Sequence, residues 1–254
     1  MTLLAAQDRT PAVVLNAGAD SPLLLLGDHA GREVPSALGD LGVHARDWDR
    51  HIAWDIGVAG LGEILSKSLG ATFIRQRFSR LVIDCNRDPS RPDAIPEVSD
   101  GARIPGNANL TPAQRQARCD EIAAPYHAAI ATELDARAAR GLPTVLVSLH
   151  SFTPQMNAFA RPWRFGVLHA DDSAFSRAAL ARLRADLGAE LVGDNEPYRM
   201  DEVDFTVPHH CRPRGLDYLE LETRQDLLSD EAGQQEVAER LARLLPEVLA
   251  ELQL

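Results

Sequence analysis

The sequence predicts an α/β protein: a three-layer sandwich with a mixed, mostly parallel sheet between two layers of helices. Three observations carry this. Short apolar runs such as Leu23–Gly27 and Thr144–Leu149 read as strands buried on both faces. Longer stretches with helical spacing separate those runs, as crossover helices do. Both runs are followed at once by histidine-bearing polar segments, and α/β sheets bind ligands just beyond their strand ends.

Taken in order, residues 1–20 read as a loose leader with a short strand at Ala12–Leu15. Leu23–Gly27 is the first buried strand, followed by the polar turn Asp28-His29-Ala30-Gly31 and stopped by Pro35. Asp47–Leu69 is expected to be a helix, with apolar positions at Ile52, Ile56, Ala59, Leu61, Leu65 and Leu69. Ala71–Arg75 and Leu81–Ile83 follow as strands, and 84–110 is a long aperiodic segment of the kind that carries function. Thr111-Pro112-Ala113-Gln114 is a capping box, opening a helix that runs to about Ala139. Beyond Thr144–Leu149 come a strand at Arg164–Leu168, a helix at Asp172–Leu187 and a short strand at Glu190–Val192. A second polar loop, 193–214, leads to an alternating strand at Leu216–Glu222, and Ser229 is expected to cap the last helix.

The 254 residues suit a single domain spanning 1–254, with enough chain to bury a core without covalent staples. A net charge of −11 argues against nucleic acid as the partner. The segment 1–22 contains charged residues and no sustained apolar stretch, so it makes a poor signal peptide, and no run is apolar enough to span a membrane. Three scattered cysteines with no CxxC pair point to a reducing, cytoplasmic setting.

Two buried strands ending at His29 and His150 point to a metal or catalytic pair at one sheet edge. A catalytic zinc needs a further ligand, and Glu33 and Asp55 are the two carboxylates in reach along the chain. Glu220 and Glu222 share a strand face, so either can serve as general base. The alternative is an edge strand with one wet face. Arg80, Arg87 and Arg91 flank Asp84-Cys85-Asn86-Arg87 and suit bidentate binding of substrate carboxylates.

DHAGREVP, RHIAWDIG, DCNRDP, LHSF, RPWRFGVL, GDNEPY and LELETRQDL, in this order, resemble the N-formylglutamate amidohydrolase family over about 23–228. That family is similar to zinc carboxypeptidases and aspartoacylases, with a phosphorylase/hydrolase-like fold. The resemblance implies a zinc-dependent amidohydrolase, or deformylase, acting on a small N-acyl amino acid, with N-formyl-L-glutamate as the leading candidate. It implies zinc on His29, Asp55 and His150, Glu222 as the base, and Asn86 and Arg87 on the substrate carboxylate. Relatives in the wider group place the acidic ligand three residues after the first histidine, where this chain has Arg32. The likeness of Asp55-Ile56-Gly57-Val58-Ala59 to the family's helix start favours Asp55 over Glu33. Arg80, His210 and Arg224 are further candidates for binding substrate. A related deacylase or peptidase on another amide is the alternative, as is a non-catalytic binding protein on the same fold.

Overall fold

The computed structural model describes residues 2–170, 172–200 and 204–254. Eleven strands occur among them: β1 (Ala12–Leu15), β2 (Leu23–Gly27), β3 (Thr72–Gln76), β4 (Val98–Ser99), β5 (Ala102–Arg103), β6 (Val145–Phe152), β7 (Gln155–Met156), β8 (Phe159–Ala160), β9 (Phe165–Leu168), β10 (Val192–Asp194) and β11 (Asp217–Arg224). Seven form the central sheet in the order β1-β3-β2-β6-β11-β9-β10, and β4–β5 and β7–β8 are small hairpins. Pairing is parallel except where β1 meets β3 and β9 meets β11, so the sheet is mixed and mostly parallel.

The helices are α1 (Val58–Leu69), α2 (Pro112–Arg118), α3 (Ala124–Ala139), α4 (Ala174–Leu187), α5 (Thr206–Cys211) and α6 (Glu231–Leu252). Alternation along the buried strands divides the core into two layers. Leu23 and Leu25 pack with α1, α4 and α6, whereas Leu24 and Leu26 pack on the opposite face with α3 and α5. Each leucine so buried contributes about 1.5–3 kcal/mol.

The capping box at Thr111 forms in both directions, with Gln114 as its partner. The run it opens carries a π-turn at Cys119–Ala123 between α2 and α3. Pro125 accounts for it: proline lacks an N–H and crowds the carbonyl four residues back, which the wider turn relieves.

Several elements differ from expectation. The helix expected over Asp47–Leu69 begins only at Val58, after a 3-10 turn at Ala45–Asp49. Gly57 sits at φ +80°, and a Cβ there would lie 2.3 Å from the Leu228 Cβ, so helix cannot pass through it. Leu81–Ile83 is a turn closed by Val82 N–H donating to the Ser79 carbonyl, so the expected strand does not form. The polar loop 193–214 contains α5. Asp230 caps the last helix, its carboxylate accepting from Gly233 N–H, while Ser229 donates to the Asp226 carbonyl instead. The leader is tied down: β1 pairs with β3, and the Glu121 carboxylate accepts from the backbone N–H groups of Leu3 and Leu4. Among the described residues no helix is long and apolar enough to cross a membrane.

Gly57→Ala is expected to cost at least about 1–3 kcal/mol from backbone strain alone, with the Leu228 clash in addition. Denaturant unfolding measures it; unchanged stability would mean that the turn ahead of α1 accommodates a side chain.

Candidate metal centre

β2, β6 and β11 start level with one another, and the register shows what this puts side by side. Leu26 on β2 is level with Ser148 on β6, which is level with Glu220 on β11. Two residues further along, His150 pairs with Glu222, and Asp28 follows Leu26 just beyond β2. These side chains therefore share the face covered by α3 and α5. β11 lies between β6 and β9 and is buried along both faces, so the wet edge strand considered from its alternation is not what forms.

His29 sits in the turn beyond β2. Gly31 lets this turn press against the neighbouring chain, since a Cβ there would lie 2.0 Å from the Arg77 carbonyl oxygen. Asp55 is fixed through its backbone, its N–H donating to the His29 carbonyl at 2.8 Å. It lies ahead of α1 rather than in the first turn of a helix.

His29, Asp55 and His150 converge, with one potential ligand atom from each within 4.8 Å of the others and all three buried. Asp55 Oδ2 is 3.5 Å from His29 Nδ1 and 3.0 Å from His150 Nδ1. The far nitrogen of each ring is held from behind. His29 Nε2 bonds Asp84 Oδ1 at 2.6 Å, and His150 Nε2 lies 3.0 Å from Ser148 Oγ and 3.6 Å from Asp28 Oδ2. Both Nδ1 atoms are thus left facing Asp55, and His29 Nδ1 is sealed from solvent without a hydrogen-bond partner. An orphaned imidazole nitrogen beside a carboxylate and a second imidazole is a donor set that fits zinc.

The charges agree. Asp28, Asp55 and Asp84 are buried together, and Arg80 supplies a permanent positive charge among them, at 3.4 Å from Asp55 and 2.7 Å from Asp84. Burial opposes ionisation of Asp84, but Arg80 and His29 hold its carboxyl well below the usual range. Burial likewise opposes a charge on His150, yet Asp28 and Asp55 raise it well above the usual value. Arg80 leaves two of the three aspartate charges to be met by protons on His29 and His150, and a divalent cation held by the same ring nitrogens can take the place of those protons.

The three residues open onto a cavity of about 450 Å³, lined also by Arg80, Asn86, Arg87, Glu220 and Glu222. Burial, reinforced by Asp55 and opposed by His150, His29 and Arg80, pushes the Glu222 carboxyl up to about 7. Burial raises Glu220 well above the ordinary value. One carboxylate oxygen of each is sealed without a partner.

The other sequence candidates divide. Arg87 lines the cavity about a quarter exposed, one guanidinium nitrogen bonded to the Asn86 carbonyl. Asn86 also lines it, but its amide is engaged: Oδ1 accepts from the N–H groups of Phe205 and Thr206 at the start of α5, and Nδ2 donates to Asp204. His210 does not reach the cavity lining; it bonds His127 at 3.1 Å on the α3 side. Arg224 also lies outside the lining, drawn to Asp226 by two bonds. Glu33 faces away and pairs with Arg9 and Arg77. Sequence reasoning gave no role to Asp28, Asp84, His51, Tyr198 or Arg199. Asp28, His51, Asp84 and Tyr198 stand inside motifs already singled out, whereas Arg199 comes from a loop with no periodic signal.

The N-formylglutamate amidohydrolase family model matches residues 21–229. Among solved structures, a gene product of Agrobacterium tumefaciens is 36% identical, with a TM-score of 0.94 over 99% of this chain and 100% of that one. An N-formylglutamate amidohydrolase from Ralstonia eutropha is 21% identical, with a TM-score of 0.67 over 94% of this chain and 97% of that one; this likeness concerns the fold. No curated protein matches the sequence.

Asp55→Asn removes the charge between the two Nδ1 atoms, so that any affinity of the centre for a divalent metal is expected to fall by more than about tenfold, whereas Glu33→Gln leaves it unchanged. Competition with a chromophoric chelator reads both, and the reverse ranking would move the acidic ligand to Glu33.

Proposed function

The chain belongs to the N-formylglutamate amidohydrolase family, a group of hydrolases acting on amides, and we propose that it hydrolyses N-formyl-L-glutamate to L-glutamate and formate with one zinc ion. The observation that carries this reading is the convergence of His29, Asp55 and His150 in a cavity that also contains Glu222. These three residues would hold the ion, which when bound supplies a Lewis acid for the amide carbonyl and makes water more acidic.

The remaining chemistry belongs to the chain's own groups. Glu222 is level with His150 in the sheet, and its carboxyl, poised near 7, is suited to take a proton from the attacking water. The same carboxyl can return that proton to the departing amine nitrogen, so one residue serves both halves of the reaction. Glu220 stands one pleat, about 6–7 Å, further back, with Oε1 3.9 Å from His150 Nε2. It supports the ligand shell rather than the water.

Substrate binding falls to the arginines. Arg87 is the proposed anchor for the α-carboxylate, through the planar fork that suits carboxylates. Arg80 faces the cavity with its guanidinium shared between Asp55 and Asp84, so it orients the site as well as presenting positive charge to the substrate. Arg199 lines the mouth as a further cation for a second carboxylate. Asn86 acts indirectly, pinning the Arg87 loop to the start of α5. The unpaired cysteines fit a reducing, cytoplasmic compartment.

Metal analysis of purified protein and turnover of a panel of N-acyl amino acids test the reading. Stoichiometric zinc and fastest release of formate from N-formyl-L-glutamate are expected. A metal-free protein active on the panel, or a metalloprotein inert towards every N-acyl amino acid, would overturn it. Glu222→Gln keeps the shape and removes the base, so turnover should fall about 10²–10⁴-fold with zinc retained. Glu220→Gln should lower the rate less. Near-normal kcat in the first variant and an inactive second would reverse the two roles.

A further inference from the structure

Asp28 is the most deeply sealed carboxylate near the centre, its side chain 0% exposed. A buried carboxylate is costly unless charge and hydrogen bonds compensate it. Among the described residues no arginine or lysine pairs with Asp28. Its partners are Tyr126, whose hydroxyl donates to Oδ1 at 2.8 Å, Ser148, whose hydroxyl donates to Oδ2 at 3.5 Å, and His150, whose Nε2 lies 3.6 Å from Oδ2. Ser148 Oγ is also 3.0 Å from His150 Nε2. A continuous path therefore runs from the ring of His150 through Ser148 to Asp28 and on to Tyr126.

Helix α3 supplies the far end. Tyr126 is fully buried and directly follows Pro125. The preceding π-turn, in which Ala124 N–H donates to the Cys119 carbonyl, sets the rotation at which α3 meets the sheet. π-turns of this kind occur often at functional sites. His29 is held differently, by Asp84 directly, and Asp84 is itself paired with Arg80. Asp28 has no such cation, so its charge is directed at His150 and whatever His150 binds.

We infer that Asp28, oriented by Tyr126, is a positioning residue that fixes the His150 ring through Ser148 and supplies part of the negative charge that draws a divalent cation to the centre. The inference rests on the zinc reading above. Carboxylates behind a ligating histidine fix the ring and raise its basicity, and their loss weakens metal binding about 10–100-fold.

Zinc affinity of the full chain is measured by chelator competition for the wild type, Asp28→Asn, Tyr126→Phe and Arg224→Ala, with KM determined at saturating zinc. Asp28→Asn is expected to bind zinc about 10–100-fold more weakly, and Tyr126→Phe about 3–10-fold more weakly through loss of one hydrogen bond to a charged group. KM at saturating zinc should stay unchanged, and Arg224→Ala should match the wild type. A purely structural role would lower the melting temperature without this selective loss of zinc affinity. Affinity within twofold of wild type in Asp28→Asn overturns the inference while leaving the zinc reading intact. If Asp28→Asn does not fold, Tyr126→Phe decides on the same criterion. A wild type that binds no zinc overturns both.

Discussion

Asp28, Asp55 and Asp84 are buried within reach of one another, and the rest of the site follows from what that demands. Carboxylates withdrawn from water need compensating charge and hydrogen bonds. Arg80 meets part of the demand through two of the three aspartates. The histidines meet the remainder, each bracketed by carboxylates on its two nitrogens: His29 between Asp55 and Asp84, His150 between Asp55 and Asp28. Such an arrangement is poor as a structural core, because apolar residues of similar size would pack there at lower cost. It is well suited to a cation, which the surrounding negative charge attracts and which orders every donor at once.

The sheet makes this geometry possible. Three neighbouring parallel strands, β2, β6 and β11, bring a histidine-bearing turn, a histidine and a glutamate to one edge without any long excursion of the chain. The fourth contribution, Asp55, comes from outside the sheet. It is delivered by a backbone bond to His29 and by the left-handed turn at Gly57, so its position depends on tertiary contact with Leu228 rather than on local helix.

That difference explains what the sequence revealed. A continuous apolar run marks a buried strand and the polar residues after it point to its far end: His29 does stand in the turn beyond β2, whereas β6 runs on to Phe152, so that His150 lies two residues inside the strand, level with Glu222. The shared face of Glu220 and Glu222 was legible from a two-residue period, but their burial was not, because alternation reads the same on a wet edge strand and on a central one whose second face is polar for functional reasons. The likeness to a helix start that favours Asp55 over Glu33 is a likeness of sequence and not of local structure, since the helix begins three residues later. The arginines show the reverse limit. Arg224 is close in sequence to the site but does not line the cavity, its guanidinium bonded to Asp226 two residues on. Asn86 sits in the right loop, but its amide is engaged at the start of a helix that no periodicity announced.

The two faces of the sheet divide stability from chemistry. On the α1/α4/α6 face the strands present Leu23, Leu25, Val145, Val147, Leu149, Leu219 and Leu221, an uninterrupted apolar layer. On the α3/α5 face the same strands begin with Leu24, Leu26, Leu146 and Tyr218 and then change to Ser148, His150, Glu220 and Glu222. The apolar layer continues beneath the polar row, so the strands stay fixed where one of their faces is least favourable for folding. A residue such as Leu149 therefore bears on the site without touching it: it anchors β6 on one face at the level where His150, next in the chain, turns to the other. The geometry of the centre is set by packing on the far side of the sheet as well as by the charges around it.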